Sequence, residues 1–67
     1  MNREEFLKFI MDHIKNMTKQ KINSLLCNSE KRYLYFRKNI SKDCNMIFYN
    51  YFTDKMLAYK KNNYDFY

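Results

Sequence analysis

The chain contains neither glycine nor proline anywhere in its 67 residues. That absence constrains the fold more than any other feature. Tight hairpin turns need a residue that accepts positive φ, most often glycine. Phosphate-cradling and dinucleotide-binding loops need glycine outright. Without either punctuating residue, element ends must be read from capping side chains and apolar periodicity. Both point to helices joined by short links.

The spacing predicts a first helix over 3–17, capped by Asn2. Phe6, Phe9, Ile10, Ile14 and Met17 form its apolar stripe, at the recurrence a helix buries. Glu4 and Glu5 in the first turn and Lys15 in the last suit the helix dipole. A shorter helix follows from 18 or 19 to 27, with Thr18 as cap, Ile22, Leu25 and Leu26 as apolar face, and Asn28 as a left-handed terminator. Ser29 is expected to cap a third helix over 30–40, with Tyr33, Phe36 and Ile40 inward and Lys31, Tyr35 and Lys38 outward. Lys42 is in phase with that outward stripe if the helix continues. Ser41 is expected to cap a last helix over 42–61, whose seam is Cys44, Ile47, Phe48, Tyr51, Phe52, Met56 and Tyr59. On this reading most of the aromatic residues form a core seam. Residues 62–67 are left as a tail that frays unless something holds it.

The fold class is therefore all-α: a compact three- to four-helix bundle over 1–61. The alternative is α+β, with the aromatic stretches 32–37 and 46–52 paired as a hairpin. Helix is preferred because that hairpin would lack a turn residue. One small domain fits this length, and its core is marginal, so a homodimer or another partner is expected. Cys27 and Cys44 allow one disulfide at most and are read as free thiols. The start of the chain does not read as a secretory leader, and the longest apolar runs, 33–36 and 46–49, are too short to span a bilayer. The expected setting is the cytoplasm, that of a host cell if the chain is viral or from a phage. The dominance of Phe, Tyr, Met, Ile, Asn and Lys also matches an AT-rich coding sequence, so part of the tyrosine and lysine content follows from codon usage.

Charge carries the functional signal. The formal net charge is +6. Acids and bases balance over 1–17 and again over 43–67, so the whole excess lies in 18–42. There Lys19, Lys21, Lys31, Arg32, Arg37, Lys38 and Lys42 stand against Glu30 alone. With Tyr35 between them, these residues are the expected nucleic-acid-binding set: cations for phosphates and a ring for a base. The bland reading is a solvated lysine face. Residues 18–40 also have the outline of a helix-turn-helix, but Ser29 and Arg37 stand where that motif needs apolar residues.

Other chemistries are poorly supplied. His13 with two distant cysteines gives no zinc spacing, and nothing orients a cysteine–histidine pair for catalysis. The acids are scattered. No enzyme activity, metal or cofactor is expected. The function read from the sequence is a small basic binding module, a regulator or accessory protein contacting nucleic acid or a nucleoprotein. The alternative is a protein-binding inhibitor or adaptor of the kind that phage, viruses and mobile elements use, with Met46, Tyr49, Leu57, Tyr64 and Tyr67 as its interface and the lysines steering encounter. No membrane contact is expected.

Overall fold

A computed structural model describes residues 2–66. It contains four helices: α1 Arg3–Lys15, α2 Lys19–Cys27, α3 Ser29–Asn39 and α4 Met46–Lys61. No strand occurs among the described residues. The hairpin alternative is therefore set aside, since 32–37 lie inside α3 and 46–52 form the first half of α4.

Side-chain caps set most of the boundaries. Asn2 Oδ1 accepts from the Glu5 amide at 2.8 Å and starts α1, and Thr18 Oγ1 accepts from the Lys21 amide at 3.1 Å and starts α2. The helix α1 stops two residues before Met17, where the Asn16 amide closes onto the His13 carbonyl at 3.2 Å and the Met17 amide onto that of Ile14 at 3.0 Å.

Asn28 does not end α2 in the left-handed conformation. Its backbone is extended, at φ −133° and ψ 104°, because it is already the N-cap of α3, accepting from the Lys31 amide at 3.0 Å. Ser29 is thus the first residue of α3 and not its cap. The carbonyls that a left-handed cap would have satisfied are taken by Arg32, whose Nη1 donates to the Leu25 and Leu26 carbonyls at 3.1 Å each.

The start of α4 also differs from expectation. Ser41 caps nothing; residues 40–45 form an irregular link in which Cys44 has a φ of 53°. A residue in that conformation cannot continue a right-handed helix. Asn45 then caps α4, its Oδ1 accepting from Ile47 at 3.0 Å and Phe48 at 3.3 Å.

The core consists of Phe6, Ile10 and Ile14 from α1, Ile22 and Leu25 from α2, Phe36 from α3, and Phe52 and Met56 from α4. α4 is the central element and packs against α1, α2 and α3, while α2 also packs on α3. Phe6 stacks on Phe48 with centroids 3.9 Å apart. Phe36 meets Phe52 at 5.7 Å and Tyr49 at 5.3 Å. The two Phe36 spacings suit favourable ring pairs, and these contacts make the aromatic seam a packing device. Ile47, placed on that seam by sequence, is instead 62 % exposed. The inward row on α4 runs from the partly buried Phe48 to the buried Phe52 and Met56, at intervals of four, and Ile47 falls to its side.

The C-terminal residues fold back onto the bundle. Asn63 and Tyr64 are both left-handed. The Tyr64 amide bonds the Tyr59 carbonyl at 2.7 Å and the Asn63 amide bonds the Lys60 carbonyl at 3.2 Å, a Schellman closure of α4. The Asn23 amide donates to the Tyr64 hydroxyl at 3.1 Å, and the Phe66 ring lies 4.6 Å from that of Tyr59. What holds 62–66 is therefore α2 and the end of α4. Tyr67 lies outside the described residues.

Candidate functional site

The pairing of α2 with α3 gathers much of the excess charge. One concavity between them is lined by Lys21, Leu25, Lys31, Leu34, Tyr35, Lys38 and Asn39. A second, sharing Leu34 and Lys38 with it, is lined also by Arg37 and Lys42. Lys21, Lys31, Arg37, Lys38 and Lys42 are all exposed, and at their centre Leu34 is 54 % exposed. Lys42 reaches this face from the 40–45 link and not from a continued α3, so its place owes nothing to the helical phase read from the sequence.

Two of these cations are tied to the bundle. Lys31 Nζ donates to Ser24 Oγ at 2.7 Å, holding α3 to α2. Lys21 Nζ lies 5.3 Å from the centroid of the Tyr35 ring, within cation–π range.

The remaining members of the expected set are elsewhere. Arg32 is half-buried and turned inward. Besides the two α2 carbonyls, its Nε donates to the Tyr49 hydroxyl at 3.0 Å. It is a capping residue, with its Nε and Nη1 donors committed to the fold. Replacing Arg32 by alanine is therefore expected to act on folding: it strands two carbonyls and a hydroxyl, at a cost of about 2–3 kcal/mol. Urea unfolding of the variant measures this. Lys19 lies over the Tyr64 ring, 4.9 Å from its centroid.

Tyr35 does not stand out from the face as a free ring. Its ring stacks on Phe52 at 6.2 Å, and its hydroxyl is 2.6 Å from His13 Nε2. A half-buried phenol needs a hydrogen-bond partner, and the lone histidine of the chain supplies it. Tyr35 thus forms a wall of the concavity and is not a stacking platform.

Burial lowers the pKa of His13 from its usual 6.5 and raises that of Tyr35 from 10.0. The unfolded chain protonates His13 before the folded one does. This contribution to stability is therefore complete above pH 6.5 and declines as pH falls below it. His13→Gln, which retains a polar partner for Tyr35 but cannot titrate there, is expected to flatten the decline in thermal midpoint between about pH 7.5 and 5.5.

The residues read as a protein interface separate in the same way. Met46 is 53 % and Leu57 50 % exposed, both on α4. Tyr49 is half-buried against Phe36 and Arg32, and Tyr64 is bound to Asn23. Ile47, which the sequence reading placed in the core, joins Met46 and Leu57 on the surface. Helical phase is the signal that reveals it: at about 100° per residue Ile47 lies about 140° around α4 from Phe52.

Among the described residues no group of three or more His, Cys, Asp or Glu side chains could hold a metal ion. Cys27 and Cys44 are free thiols. No helix of the described residues is long and apolar enough to cross a membrane. Comparison of the chain with protein-family models, with curated proteins and with solved structures gives no match. What the arrangement offers chemically is a cluster of cations around a small apolar centre.

Proposed function

We propose that this chain is a non-enzymatic binding module that docks on the phosphate backbone of nucleic acid through the α2–α3 face. The observation that supports this is the meeting of Lys21, Lys31, Arg37, Lys38 and Lys42 around two adjoining concavities. Five of the seven cations of the segment that carries the net charge of +6 line this one surface. Polyanions bind such a surface by releasing condensed counterions, largely without regard to sequence. The inward placement of Tyr35 takes the ring best suited to base stacking out of reach, and the face left behind is mostly lysine, with Arg37 its one guanidinium. The contact is accordingly with backbone phosphates.

Titration of a fluorescent DNA duplex at increasing salt tests this. With about four phosphate contacts, affinity is expected to fall about a hundredfold between 50 and 200 mM salt. Affinity that is flat with salt contradicts the proposal. The second reading, an adaptor or inhibitor that binds another protein, draws on the exposed Met46, Ile47 and Leu57 of α4. A partner retained through nuclease and high salt, and lost on Leu57→Glu, would favour it.

A further inference from the structure

We propose that the solvent face of α4 is a self-association surface, occupied by a second copy of this chain in an antiparallel two-fold arrangement. At about 100° per residue, Met46, Ile47, Asn50, Asp54, Leu57 and Lys61 fall on the side of α4 away from Phe52 and Met56, and all are exposed. Met46, Ile47 and Leu57 are each at least half exposed, although α4 is the central helix of the core. An apolar outer face is unexpected on a helix whose inner face is already filled.

The order of residues along this face identifies the occupant. A two-fold contact brings residue i against j and j against i, so the surface must complement its own reversal. With the axis at the level of residue 52, Met46 and Ile47 meet Ala58 and Leu57 of the second copy, and the Asn50 amide meets the Asp54 carboxylate. Lys61 then reaches the level of the link carrying the exposed Asp43. Moving the axis one way, to residue 54, sets Asp54 against itself. Moving it the other way, to residue 50, sets Asp54 against Met46. The apolar ends and polar middle match only in the first register. The face bears one acid and one base, Asp54 and Lys61, so it is neutral in itself. The +6 of each copy acts only through long-range repulsion, which salt screens. Self-association should therefore tighten with salt while phosphate binding weakens. The helix is about 24 Å long, which gives a contact at the small end of specific interfaces.

Sedimentation equilibrium of the full chain, at about 0.15 M salt to screen long-range repulsion, tests the register as well as the surface. A reversible dimer is expected. Ile47→Glu should abolish it below about 1 mM, a loss of at least thirtyfold, with helicity unchanged because Ile47 lies outside the core. Leu57→Glu should do the same. Asn50→Lys, which faces Asp54 of the second copy, should tighten the dimer about threefold, and Asn50→Asp should loosen it by as much. A monomer at every concentration overturns the proposal. So does a dimer indifferent to both glutamates, a foreign protein held by this face without self-association, or a shift in the same direction for both Asn50 variants.

Discussion

Replacing Lys31, Lys38 and Lys42 together by glutamine is expected to reduce affinity for a DNA duplex at least about a hundredfold at low salt. The slope of log affinity against log salt should flatten by about three. The far-ultraviolet circular dichroism should stay as it is. All three side chains are exposed, and glutamine keeps half of the aliphatic stem that covers neighbouring surface. The bond from Lys31 to Ser24 is an exposed hydrogen bond whose loss costs about 1 kcal/mol or less. Arg32 is left out of the set on purpose: its removal would weaken binding by weakening the fold, and would be misread as a lost contact. Fluorescence anisotropy on wild type and triple variant, with thermal melts of both, separates the two causes. Unchanged affinity in a folded triple variant would refute the assignment of this face.

The largest expected effect on stability belongs to Phe52→Ala. The Phe52 ring is fully buried and lies at the crossing of α3 and α4, against Phe36 at 5.7 Å and Tyr35 at 6.2 Å. Truncation of such a ring costs about 3–5 kcal/mol, where a domain of this length has about 3–10 kcal/mol in all. The variant is expected to be largely unfolded at 37 °C. It should also release Tyr35, and with it the wall of the concavity and the partner of His13. Phe52→Leu, which keeps most of the volume, should cost about 1.5 kcal/mol or less and preserve the fold. Ile47→Ala, only a few residues away on the same helix, should be close to neutral because that side chain is 62 % exposed. Chemical denaturation of the three variants ranks them. A folded, cooperative Phe52→Ala would mean that the core does not run through this ring.

The helices were legible from sequence where a cap and an apolar stripe agreed, as at Asn2 with Phe6, Ile10 and Ile14, or at Thr18 with Ile22 and Leu25. The start of α4 was not, because Ser41 and Asn45 are both competent caps. The left-handed Cys44 that decides between them has no signature in its residue type. That displacement moved Lys42 out of the helix, whereas Ile47 stays in α4 and lies to the side of the Phe52 and Met56 row. Charge segregation in 18–42 was legible as a sum but not as a surface. Periodicity assigns an angle to Arg32 but does not reveal two open carbonyls within its reach. It sets Tyr35 opposite Phe36 as though α3 had one packed side, whereas Phe52 and His13 supply partners on the other. Side chains long enough to reach a neighbouring element escape a reading that sees one element at a time.

The most direct test of the account is a map of amide chemical shifts as a short DNA duplex is added to labelled protein. The account predicts that the shifts concentrate at Lys21, Lys31, Leu34, Arg37, Lys38 and Lys42 and fade as salt is raised. Shifts centred on Met46, Ile47 and Leu57, or none at all at low salt, would contradict it.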